Sequence, residues 1–154
     1  MNLRDGRDKN LNTLIARLNN TEPLNQNQEK KLYTSFMSNV TTKMLSTGET
    51  YGRASGGLPI LNQSEEAFRK ELRSIDNDIE RQISIFQESL DRWFNHGEPH
   101  PPYYPWRIII ILSKLGKKEK EKEFLAAYCK HFLNWKGNRD EKIVARARKL
   151  GAVG

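Results

Sequence analysis

Eight large apolar residues, Phe68, Leu72, Ile75, Ile79, Ile83, Phe86, Leu90 and Trp93, follow one another at intervals of three or four positions. That spacing keeps all of them on one face of a helix and suits no strand, whose side chains alternate between faces. Ser64 stands as N-cap, with Glu65 and Glu66 in the first turn, where carboxylates meet the positive end of the helix dipole. Asn95-His96-Gly97 closes the pattern, because Gly97 readily takes a left-handed conformation and Pro99 cannot continue a helix. The spacing therefore predicts one continuous amphipathic helix from Ser64 to His96, about 30 residues and about 45 Å long. So long a stripe exceeds what a short helical hairpin can cover, and the remainder requires the N-terminal helices or a second chain.

Beyond this helix lies an elbow, Gly97 to Pro105, whose prolines at 99, 101, 102 and 105 hold it extended. Tyr103 and Tyr104 in the elbow are free either to pack or to be displayed to a partner. The segment Trp106 to Gly116 carries a run of isoleucines that would suit a buried strand as well as a buried helix. A helix is predicted, with Pro105 at its first position and Lys114-Leu115-Gly116 at its end, since no partner strand is evident elsewhere. A charged turn from Lys117 then leads into a second helix bearing Phe124, Leu125, Tyr128, Phe132 and Trp135 at helical spacing, which completes a hairpin. After Gly137 and Asn138 a short last helix starts under Asp140 and Glu141 and carries its basic residues towards its C-terminus.

The first sixty residues are less strongly patterned. Leu11, Leu14, Ile15 and Leu18 predict a short helix ending at Asn19-Asn20, and Leu32, Tyr33, Phe36, Met37, Val40 and Met44 a second one between about Asn27 and Leu45. From Ser46 to Pro59 glycines and small polar residues predict a linker or exposed loop. The reading is an all-α protein: an N-terminal helical arm over 1–46, a Gly-rich linker over 47–63 and a helical core unit over 61–154. At 154 residues there is no room for a second full domain.

Composition narrows the classes. Ile108 to Leu112 is the longest apolar run, far short of the roughly 20 residues that cross a bilayer. The charged N-terminus lacks the apolar region of a secretory signal, and the lone Cys129 makes no internal disulfide, so a cytoplasmic location is expected.

The stretch from Pro102 to Phe132, with its aromatic and aliphatic first helix, Lys114-Leu115-Gly116 turn and aromatic second helix, resembles a tetratricopeptide-type helix pair. The likeness covers about thirty residues. The small residue that the repeat places early in its second helix falls near Glu121, and no second copy occurs in the chain. Members of that family are chiefly scaffolds whose stacked helix pairs bind other proteins, so the resemblance implies a binding or assembly role.

No phosphate-binding glycine loop, nucleophile elbow or paired-carboxylate constellation is present, and neither an enzyme nor a cofactor is predicted. His96, Glu98 and His100 are close in sequence, but glycine and proline break the helical register that would let them share a metal, and no metal site is predicted. Cys129 and His131, two apart on a helix, face different ways and form no nucleophile and base pair.

The net charge of +7 divides into +3 over residues 1–60, −4 over 61–100 and +8 over 101–154. Two explanations compete. The acidic middle and basic end neutralise one another within the fold, or the basic end faces an anionic partner. The leading expectation is a non-enzymatic module for protein–protein interaction or self-association, with Tyr103 and Tyr104 as candidate contacts. The alternative is a nucleic-acid-binding protein using Lys117, Lys118, Arg146, Arg148 and Lys149, the interleaved glutamates making Lys117 and Lys118 the weaker part of that set.

Overall fold

The stripe that predicts a single helix from Ser64 to His96 is broken once, at Asp76-Asn77-Asp78. In the computed structural model, which describes residues 8–57, 60, 63–135 and 141–154, it yields two helices instead. Among the described residues there are eight helices and no strand: α1 (Lys9–Asn20), α2 (Gln26–Thr47), α3 (Tyr51–Ala54), α4 (Glu65–Ile75), α5 (Ile79–His96), α6 (Tyr103–Lys114), α7 (Lys118–Phe132) and α8 (Glu141–Lys149). The chain is all-α, as expected. Pro59, at the end of the predicted linker, and Gly137, Asn138 and Asp140, ahead of the last helix, lie outside the described residues.

The break has a local cause and a tertiary one. Asp and Asn are poor in helix interiors because their side chains compete for the backbone, and here Asp78 caps α5 by accepting from the Arg81 amide at 3.1 Å. The carbonyls left open at the end of α4 find partners elsewhere. Gln82 Nε2 donates to Ile75 O at 2.8 Å, and Arg107 of α6 donates from Nε and Nη2 to Asp76 O at 3.0 and 2.7 Å. The apolar spacing runs straight through because Ile75 and Ile79 are four apart, so hydrophobic periodicity alone cannot register the interruption.

Helix α5 is the hub, packing against α1, α2, α4 and α6, while α7 packs against α1, α6 and α8. The main core gathers Phe86, Leu90 and Trp93 of α5 with Ile108 and Leu112 of α6, Phe124, Tyr128 and Phe132 of α7, and Ile143 and Ala147 of α8. Leu11, Leu14, Ile15 and Leu18 belong to this same core, so α1 is an integral layer and not a separate arm before a 61–154 unit. Its polar edges are tied down as well, for Arg17 reaches Asp91 at 2.7 Å and Lys130 donates to Asn19 O at 2.6 Å. The long stripe is therefore covered from within the chain.

The predicted strand-or-helix segment is helical and starts at Tyr103, two residues before the expected position. Pro105 is the third residue of α6, where a helix still needs no amide donor. Ile108, Ile109, Ile111 and Leu112 are buried. Gly116 (φ 70°) turns the chain into α7. The position that the tetratricopeptide resemblance assigns to a small residue holds Glu121, whose buried side chain receives Arg146 of α8 at 2.7 Å.

Part of the expected linker is ordered. Helix α2 runs on to Thr47 and ends at Gly48, while Tyr51–Ala54 forms one turn capped by Thr50. Phe36, Val40 and Ala54 make a second, smaller core. Arg92 of α5 fastens this satellite by donating to Gly56 O at 2.8 Å and Ser55 O at 3.0 Å, by pairing with Glu98 at 2.5 Å, and by lying over the Phe36 ring. Gly97 has φ 65°, and a Cβ there would sit 2.7 Å from Glu29 O of α2. Glycine is thus required twice, for the left-handed cap and for the approach of α2. Gly97→Ala is expected to cost about 2 kcal/mol or more, whereas Gly48→Ala, with the same strain and open space around it, costs about 1 kcal/mol. Urea unfolding of the two variants measures the difference.

Candidate interaction surfaces

Tyr103 and Tyr104 do not form a displayed pair. Tyr104 is only 1% exposed and sits in the main core, and Tyr103 is half-buried with its hydroxyl donating to the Asp76 carboxylate. Burial pushes both phenols up to about 12, with Asp76 adding to the effect at Tyr103. Together with Arg107, Tyr103 fastens α6 to the break between α4 and α5. The expectation that these tyrosines meet a partner is corrected for Tyr104, which has no surface to offer.

Among the described residues the exposed large apolar side chains are Tyr33 at 37%, Leu45 at 83%, Tyr51 at 40% and Leu115 at 60%. Three of the four lie on α2 and α3, and α2 buries only Phe36 and Val40 along 22 residues. Tyr51 lies within electrostatic reach of Glu98, Tyr33 and Arg92, and its phenol is raised first by burial and then by Glu98. The two tyrosines and the Arg92–Glu98 pair thus share one corner, formed by α2, α3 and the start of the elbow. The periodicity places Tyr33 on the packed face of its helix and puts Tyr51 in a linker, so neither stands out from the sequence.

The five predicted nucleic-acid cations separate into two kinds. Lys117 pairs with Asp8 at 2.6 Å. Arg146 makes two bonds to Glu121, at 2.7 and 3.2 Å, and a third to Ser113 Oγ at 3.3 Å. Since Glu121 is 1% exposed, Arg146 neutralises a carboxylate that burial would otherwise penalise, and its own ionisation is raised by that bond. Both cations are structural. Lys118, Arg148 and Lys149 are exposed, and no ion pair involves them among the described residues.

The histidines and the cysteine do not converge. His96 stacks on Phe36 with centroids 4.3 Å apart, Glu98 is taken by Arg92, and His100 is buried with Nε2 2.8 Å from the Tyr128 hydroxyl. His131 Nε2 lies 2.6 Å from Leu18 O, and Cys129 is buried in the main core. Among the described residues no three His, Cys, Asp or Glu side chains are grouped to hold a metal, and no helix is long and apolar enough to cross a membrane. Comparison of the chain with protein families, curated proteins and solved structures found no match.

Burial among Phe86, Tyr128 and Phe132 lowers the His100 imidazole to about 3. Burial also lowers His131, against an opposing contribution from the Leu18 carbonyl. Both rings fold in their neutral form, whereas an unfolded histidine takes up its proton near pH 6.5. Acidification below that value therefore favours the unfolded chain, and the loss continues until His100 itself is protonated. His100 alone accounts for about 2 kcal/mol between pH 6.5 and pH 5. Denaturant titrations at pH 7 and pH 5 are expected to show this fall, and His100→Gln to reduce it.

Proposed function

We propose that this chain is a non-enzymatic protein-interaction or assembly module whose contact surface is the α2–α3 ledge. The supporting observation is the concentration of exposed apolar side chains there, Tyr33, Leu45 and Tyr51, on a long helix that contributes little to the core. Tyrosine suits such a role, since it offers a large rigid contact area with a polar tip and has few rotatable bonds to immobilise. The ledge is also held in place before any partner arrives. Arg92 ties it to α5, Phe36 stacks on His96, and Gly97 admits the first turns of α2 against the helix end. A surface so held loses little conformational freedom on binding.

The tetratricopeptide-like pair α6–α7 agrees with a scaffold role, as that family is used chiefly to bind proteins. Its neighbours here are α1, α5 and α8, which enclose the hairpin, so the ledge and not the hairpin supplies the contact. The buried, unbridged Cys129 accords with a cytoplasmic setting.

The reading is tested by replacing Tyr33 and Tyr51 with Ala and confirming by circular dichroism that the fold survives. Self-association followed by light scattering, and binding to partners captured on the native chain, are expected to weaken at least tenfold, while Lys70→Ala on α4 leaves both unchanged. A native chain that stays monomeric at high concentration and captures the same proteins as the tyrosine variant would overturn the reading.

A further inference from the structure

The acidic middle of the chain does not neutralise the basic end. Among the described residues Arg107–Asp76 is the one ion pair joining the two segments, while Lys117, Lys120 and Arg146 of the basic end find carboxylates in Asp8, Glu123 and Glu121. Five exposed cations, Lys114, Lys118, Lys122, Arg148 and Lys149, take part in no ion pair among the described residues.

The fold brings these five to one region. The bond from Arg146 to Ser113 sets α8 against the end of α6, one residue from Lys114. Just past the C-terminal end of α8, a Cβ on Gly151 would lie 4.0 Å from Lys122 Nζ, so the end of the helix that carries Arg148 and Lys149 lies beside α7. Lys118 and Lys122 are four apart and share a face of α7, with side chains about 5–6 Å from one another. Glu119 and Glu123 each follow one of these lysines and so lie about 100° further round the helix. The buried Arg146–Glu121 pair fixes the seam between α7 and α8 beneath the cations.

Folding does not account for this arrangement. Lys118 opens α7, where the helix dipole disfavours a positive charge, and Lys118 with Lys122 is a like-charged pair of the kind that destabilises an isolated helix. Both costs are relieved by a ligand that supplies negative charge at regular intervals.

We propose that the α6–α7 turn, the Lys118–Lys122 face of α7 and the C-terminal end of α8 form a binding surface for the phosphate backbone of nucleic acid. Among the described residues the exposed large apolar side chain in this region is Leu115, and no exposed aromatic stands there to stack a base. Recognition is therefore by charge, independent of base sequence and steeply dependent on salt. This surface excludes Lys117 and Arg146, which belong to the fold, and takes in Lys114 and Lys122.

The test is fluorescence anisotropy of a labelled mixed-sequence duplex DNA titrated with the full chain across a range of salt. Binding is expected at about 50 mM salt, with affinity falling linearly on a log–log scale. Lys118→Gln with Lys122→Gln, and separately Arg148→Gln with Lys149→Gln, are each expected to weaken binding at least tenfold and to make the salt slope shallower by about two. Lys30→Gln with Lys31→Gln on α2 serves as the control and leaves binding unchanged. Absence of binding at low salt, or equal loss in the α2 control, overturns the proposal, as does affinity confined to vesicles containing phosphatidylserine.

Discussion

The interruption at Asp76-Asn77-Asp78 is the constraint on which the rest of the structure depends. An uninterrupted helix of about 30 residues would carry its apolar face well past the reach of α6 and α7, and the excess would demand cover from the N-terminal helices or a second chain. Stopping at Ile75 and restarting at Ile79 leaves α5 with 18 residues, short enough for α1, α2, α4 and α6 to surround. The break is not left to local preference. Arg107 occupies the Asp76 carbonyl with two donors, and Tyr103 bonds its carboxylate, so the start of α6 and the turn before α5 determine each other. The other end of α5 is fixed by Gly97, which lets α2 approach more closely than any side chain would permit.

The same economy appears in the polar groups of the interior. A buried carboxylate is costly alone, and Glu121 is matched by Arg146 from α8, which joins the last helix to the hairpin by charge as well as by Ile143 and Ala147. His131 reaches the Leu18 carbonyl at the end of α1, and His100 meets Tyr128, so each buried ring links segments distant in the chain. Neutral imidazole serves these contacts without the desolvation cost of a charge. Histidines that suggest chemistry in a sequence act here as structural polar groups.

Much of the architecture was legible because apolar periodicity and end signals are local. Ser64 caps α4 through the Ala67 amide, Gly97 takes its left-handed cap, and Gly116 turns the hairpin, all from residue types whose backbone preferences need no tertiary context. What was not legible depends on partners far away in sequence. The break needs Arg107, about thirty positions on, to donate to the freed Asp76 carbonyl. Glu121 looks solvated amid alternating lysines and glutamates until Arg146 is placed beside it. Tyr33 satisfies the α2 pattern yet stays exposed, and Tyr104, which the elbow leaves free to pack or to be displayed, is carried into the core by the first turn of α6.

The uneven charge shows why totals mislead. Segment counts of −4 and +8 invite a fold in which the middle neutralises the end, yet the one such pair among the described residues serves the break at Asp76. A charge is matched where burial would otherwise be costly, as at Glu121. The cations that remain are thus selected by the fold itself: those needed inside have been used, and those around the α6–α7 turn and the end of α8 stay free to meet an external anion. The α2–α3 ledge packs on α5 while α8 packs on α7, so the apolar and the basic surfaces belong to different helices. On the two proposals made above, occupying one surface requires no rearrangement of the residues that form the other.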